Sequence, residues 1–126
     1  MRHLPVFTTA FLCLAAPALA GGDAAAGKAV FRKCAACHAT EPVNRVGPTL
    51  SGIVDRPVAS VADYSYSAAM TGFAEDGKRW SEALLADYLL SPRAMVPGTA
   101  MTFAGLRKSE DIANLIAYLK DPAAAR

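Results

Sequence analysis

Residues 34–38 read Cys34-Ala35-Ala36-Cys37-His38, and no other stretch constrains the fold as strongly. Two thiols at this spacing lie on one side of a helical turn. From that side both sulfurs reach the two vinyl groups of one porphyrin and form thioethers with them. His38, next in the chain, then presents its imidazole to the iron, where a proximal ligand must sit. Cys-x-x-Cys-His is the attachment signature of a c-type haem. A redox dithiol shares the Cys-x-x-Cys spacing but belongs to a βαβ setting, and the chain shows no such pattern. A tetrahedral zinc site needs two more Cys or His ligands, and only Cys13 and His3 remain, both near the N-terminus.

The N-terminus carries an address. Met1-Arg2-His3 is a basic start, Leu4 to Ala16 is mostly apolar, and Ala18-Leu19-Ala20 is an A-x-A cleavage site. Residues 1–20 are therefore expected to be a secretory signal peptide, and 21–126 a single periplasmic domain. The apolar run is too short for a comfortable membrane span, so no stable membrane insertion is expected after cleavage. Leu12 stands before Cys13, where lipoprotein processing wants a small residue, so Cys13 is expected to leave with the leader. Removing Arg2 takes the net charge from +2 to +1, which excludes nucleic-acid binding driven by charge. The two remaining thiols would tend to close as a disulfide in an oxidising compartment. Haem attachment must then occur while they are kept reduced.

Along the mature chain, Asp23 predicts the cap of a first helix running to about Lys33, with Val30 and Phe31 on its apolar face. Gly27 either lets another helix approach or merely weakens this one. Residues 39–66 read as loop, punctuated by Pro42, Gly47, Pro48, Gly52 and Pro57. Ser67 starts a brief helix through Met70, and Gly72 to Lys78 reads as a turn-rich surface segment. Ser81 caps the next helix, whose Leu84, Leu85, Tyr88 and Leu89 repeat at helical spacing. Pro92 opens a further short turn, and Pro97-Gly98-Thr99-Ala100-Met101 has no periodicity. Ser109 is the expected cap of the last helix, with Ile112, Leu115, Ile116 and Leu119 in one stripe and Pro122 beyond its end. The fold class expected is all-α: a small helical domain whose long loops wrap one covalently bound haem. A haem adds a large apolar surface to so small a core, so the chain without it should fold poorly.

A sixth ligand has three candidates, Met70, Met95 and Met101. Any of them can be core filler. Met101 sits in a Pro-Gly loop able to turn a thioether inward, with Met95 close by. A thioether is soft and neutral, so Met/His coordination favours ferrous iron and raises the potential. Two protein ligands also leave no open position for a substrate.

With these segments placed, the chain resembles a class I cytochrome c of the bacterial cytochrome c2 and mitochondrial type. The residues carrying the resemblance are the haem motif, Gly47-Pro48-Thr49-Leu50-Ser51-Gly52, Arg56, Tyr64-Ser65-Tyr66-Ser67 and Trp80. Further along they are Tyr88-Leu89-Leu90-Ser91-Pro92, Pro97 to Gly105, and Leu115-Ile116-Ala117-Tyr118-Leu119-Lys120. The resemblance selects Met101 over Met95. It implies that the Pro48 carbonyl accepts the His38 ring N–H, which fixes the ring and raises its basicity. It implies that Arg56, Tyr66, Ser67 and Trp80 hold the haem propionates, that Tyr88 and Thr99 line the Met side, and that Phe103 shields the haem edge. Gly27 and Tyr118 fall where the first and last helices cross. From the residues alone, Trp80 and Tyr88 also read as core and Arg56 as a solvated charge.

The chain departs from the pattern in three places. About three extra residues lie between Met70 and Trp80. The loop from His38 to Gly47 is shorter, by about two residues, than in mitochondrial proteins. The basic ring around the haem edge is thinner, leaving Lys33, Arg45, Arg93, Arg107 and Lys108, with Ala94 and Ala100 where lysines often stand. The function implied is a soluble, monomeric one-electron carrier of a respiratory or photosynthetic chain. Its donor would be a bc1-type complex, and its acceptor a terminal oxidase or a reaction centre. The rivals are a haem enzyme or gas sensor with a labile Met101, and a haem-free metal or thiol module.

Overall fold

The computed structural model describes residues 21–125. The leader, Cys13 and Arg126 lie outside the described residues. Five α-helices follow in order: α1 (Ala24–Phe31), α2 (Ala68–Phe73), α3 (Glu82–Leu90), α4 (Pro92–Met95) and α5 (Ser109–Lys120), with a closing 3-10 turn at Pro122–Ala125. Among the described residues there is no strand, only an isolated antiparallel bridge between Pro57 and Arg79.

Local signals explain most boundaries. The Asp23 carboxylate accepts from the Ala25 and Ala26 amides at the start of α1, satisfying donors that a helix start leaves free. The Ser67 and Ser81 hydroxyls accept from the Met70 and Leu84 amides in the same way. Pro92 stands at the first position of α4, where its missing N–H costs nothing.

Three expectations shift. α1 ends at Phe31 rather than near Lys33; tight turns carry the chain on, with Cys34 N–H to Phe31 O at 2.8 Å and His38 N–H to Cys34 O at 2.9 Å. α2 runs past Met70 to Phe73, so Gly72 is helical rather than part of a turn. Ser109 is the first residue of α5 and not its cap: Lys108 holds the cap position and no side chain caps the helix there. Glu110 and Asp111 in that first turn complement the helix dipole instead.

The core forms where α1 and α3 meet α5. The stripe Ile112, Leu115, Ile116 and Leu119 is buried, and it packs with Leu85, Leu89, Val96 and Leu106. α1 crosses α5 at Gly27, where an added Cβ would strike the Asn114 carbonyl and lie 2.8 Å from the Tyr118 Cβ. Phe31 and Tyr118 close the crossing with ring centroids 5.4 Å apart. The Asn114 amide oxygen accepts from the Asp23 N–H at 2.8 Å, so this buried polar side chain is paired.

These close approaches set the sign of a substitution. Gly27→Ala gains about 1 kcal/mol of helix propensity. It must also displace backbone, and overpacking of that kind costs about 1–3 kcal/mol. A net loss of stability is expected, read as a lower denaturant midpoint with an unchanged slope; a rise in the midpoint would show that the crossing has room.

Candidate haem site

The cysteine turn sits directly after α1, so both sulfurs are delivered by one helical turn. Both thiols are free; Cys34 is half-buried against the core and Cys37 is exposed. Burial pushes the Cys34 thiol up, Lys33 opposes this, and the neighbouring Cys37 adds to it. His38 follows, with its Nδ1 at 2.8 Å from the Pro48 carbonyl oxygen. A carbonyl only accepts, so Nδ1 carries the proton and Nε2 keeps its lone pair for a metal.

The loop from Ala39 to Leu50 is built around that bond. Gly47 N–H donates to Cys37 O at 2.8 Å, and Leu50 N–H to Ala39 O at 2.9 Å. Asn44 accepts from the Thr49 N–H and donates to Asp63, while Arg45 donates to Ala35 O at 2.9 Å. Gly47 is buried, and a Cβ there would fall on the His38 ring. Space, not backbone freedom, demands glycine at this point. Sequence reasoning placed Gly47 as loop punctuation and within the motif that carries the resemblance, without a role; its position directly before Pro48 was the available signal.

A second group of donors gathers where the bridge joins residues 55–58 to 78–80. Trp80 N–H donates to Arg56 O at 2.9 Å, and Asp55 N–H donates to Trp80 O at 2.8 Å. Arg56 Nη1 donates to Thr49 O and Ser51 O, at 2.9 and 3.0 Å. Its Nε is buried without a partner. Burial lowers the Arg56 pKa, with the nearby Tyr66 working against the shift. The Tyr66 oxygen accepts from the Val61 N–H at 3.1 Å, leaving its own proton to donate. The Ser67 oxygen is taken up in capping α2, with its proton likewise left. Trp80 is buried between Phe73 and Tyr88, at ring-centroid distances of 5.9 and 4.8 Å.

The Pro97–Met101 loop comes next, reaching Tyr88 through the Thr99 side chain. Gly98 takes a φ of 83°, and Thr99 N–H returns to Val96 O at 3.0 Å. The Thr99 hydroxyl accepts from the Met101 N–H at 3.2 Å. Burial raises the Tyr88 pKa, and the Thr99 hydroxyl pulls the other way. Met101 and Phe103 are half-buried against the core, and so is Met95. Packing therefore leaves both thioethers open, and only the order of the surrounding motif separates them. Lys33, Arg45, Arg93, Arg107 and Lys108 are all exposed, and Arg93 donates to Thr102 O at 2.7 Å.

Two free thiols on one turn, an imidazole held by one nitrogen, and a buried guanidinium N–H lacking an acceptor together fit a covalently attached haem with anionic side chains. That donor set defines a small helical protein built around a porphyrin. The sequence profile described as "Cytochrome c" matches residues 24–122. A cytochrome c2 from Afifella marina is 47% identical over 102 residues, covering 79% of this chain and 82% of its own. A cytochrome c from Gossypium barbadense is 45% identical over 106 residues, covering 82% of this chain and 93% of its own. The solved cytochrome cH from Methylobacterium extorquens matches with a TM-score of 0.71 and 43% identity, over 79% of this chain and 98% of that one. The chain belongs to the cytochrome c family. Its cofactor is one covalently attached haem c, and it is a haem electron carrier rather than an enzyme.

Gly47→Ala tests the space beside the imidazole. The variant should accumulate less holoprotein than wild type and show a shifted redox potential, because the His38 ring must move. Wild-type yield and potential would show that Gly47 has no part in placing the ring.

Proposed function

We propose that this chain is a monomeric periplasmic one-electron carrier, with residues 1–20 a removed signal peptide and 21–126 the functional domain. The observation that carries the reading is the bond from His38 Nδ1–H to the Pro48 carbonyl, one helical turn from two free cysteines. It leaves Nε2 as the only nitrogen of that ring able to ligate.

Cys34 and Cys37 are the covalent anchors, His38 the proximal ligand and Met101 the distal one. Bound haem supplies a one-electron Fe(III)/Fe(II) couple. His38 and Met101 would both ligate the iron and so keep substrates off it. Arg56, Tyr66, Ser67 and Trp80 donate to the propionates; a buried carboxylate without such donors is costly. Tyr88 and Thr99 fix the loop that carries Met101, and Phe103 keeps water from the edge. No helix among the described residues is long and apolar enough to cross a membrane, in keeping with a carrier that docks transiently. The donor is a bc1-type complex, and the acceptor a terminal oxidase or a reaction centre. With a thin basic ring, encounter should depend less on salt than for strongly basic relatives.

An oxidised-minus-reduced spectrum with a redox titration of the purified protein tests this directly. Haem that survives denaturation, together with a weak Met–iron charge-transfer band in the oxidised state, is expected; colourless protein with two titratable thiols would sink it. Met101→Ala should open the sixth position and lower the potential while haem stays attached. An unchanged potential would assign the ligand elsewhere, with Met95 next in line.

A further inference from the structure

Between Met70 and Trp80, Lys78 takes up an arrangement unusual for a lysine. Its ammonium donates to the Phe73 carbonyl at 2.6 Å, sits 4.0 Å from the centre of the Phe73 ring, and pairs with Asp76 at 3.2 Å. The Lys78 side chain is only 28% exposed, against 63% for Asp76. The Phe73 carbonyl belongs to the last residue of α2, where a helix leaves acceptors free and favours a cation. A cation over a ring adds an attraction that strengthens as the pair loses water.

Both ends of this contact lead to Trp80. On the side-chain side, Phe73 lies tilted at 37° against Trp80, which lies against Tyr88. On the backbone side, Val58 N–H donates to Lys78 O at 3.0 Å, two residues from the bond between Trp80 N–H and Arg56 O. The backbone bonds fix where Trp80 starts, and the Phe73 ring fixes one face of the indole. The Asp76 pair is exposed on its acidic side and contributes little; the carbonyl and the ring are the working contacts.

We propose that Lys78 is a positioning residue for the propionate-binding wall: it clamps the end of α2 onto the bridged segment 78–80, holds Phe73 against Trp80, and thereby sets the redox potential. This rests on the reading of Trp80 as a propionate donor. When the indole is less well held, the propionate is less well neutralised. The extra negative charge favours ferric iron, so the potential falls.

The test uses holoprotein. Lys78→Met should lower the midpoint potential by a roughly threefold change in the redox equilibrium, ~30 mV for one electron. Lys78→Arg, which keeps the charge and the donors, should restore most of it. Phe73→Leu should lower the potential similarly, and the double variant should fall no further than either single one, because the two residues act as a unit. A wild-type potential for Lys78→Met, or additive shifts in the double variant, overturns the proposal. Should Lys78→Met fail to accumulate, Lys78→Gln, which still donates to the carbonyl but lacks the charge, is expected to give a smaller fall; an unchanged potential there also overturns it. Trp80→Phe separates the two readings. A shifted potential upholds the indole as a propionate donor, whereas an unchanged one removes that role and the proposal with it.

Discussion

One hydrogen bond organises this molecule: His38 Nδ1–H to the carbonyl of Pro48. It is worth about 1 kcal/mol to stability, as neutral hydrogen bonds generally are. Its larger effect is on chemistry. It selects the tautomer, aims Nε2, and makes the ring a better ligand. For the bond to exist, Pro48 must pass directly beside the ring, which requires buried Gly47 before it and a loop that folds back on the cysteine turn. Asn44, Arg45 and Thr49 supply the polar ties that keep that loop from opening.

The loops are long because their work is not to connect helices but to bring groups to a cofactor. The hydrophobic core proper is the crossing of α1 with α5 and the packing of α3 on α5. Residues 39–66 add only Ala39, Ile53 and Val58 to the fully buried apolar set. Leu50, Val54 and Ala59 pack partly against it, and beside them the segment half-buries the polar side chains of Arg56 and Tyr66. A long segment with so few fully buried apolar residues gains little from its own packing, and a ligand that answers its polar groups would add to its stability.

Sequence reasoning worked where one physical cause dominates. The cysteine motif, the caps at Asp23, Ser67 and Ser81, and the α5 stripe each follow from spacing or from a donor that needs an acceptor, and the structure has them at those residues. It failed at Ser109, where the electrostatics of Glu110 and Asp111 serve the helix start and the hydroxyl is not used. It stopped short at Phe73, because Gly72 reads as a breaker while helix-favouring contacts at Lys78 lie five residues downstream. The role of Gly47 was hard to read for a similar reason: a glycine kept for space leaves no local trace beyond its place before Pro48. The donors Arg56 and Trp80 were legible only by resemblance, since they meet through backbone bonds between segments about two dozen residues apart.

Arg56 shows why cofactor and fold are not separable here. Two of its contacts satisfy backbone carbonyls of Thr49 and Ser51, which pins the guanidinium below the surface. The same pinning strands Nε without an acceptor and draws the pKa down. A buried N–H without an acceptor is a destabilising element by itself. An anionic propionate at that position turns the liability into a charge-assisted bond, among the stronger bonds available to a protein. Trp80, tied to Arg56 through its backbone N–H, and Tyr66, tied to Val61, would add donors for the same anion. On the proposed reading, the attached haem would answer a donor that the polypeptide alone leaves unpaired.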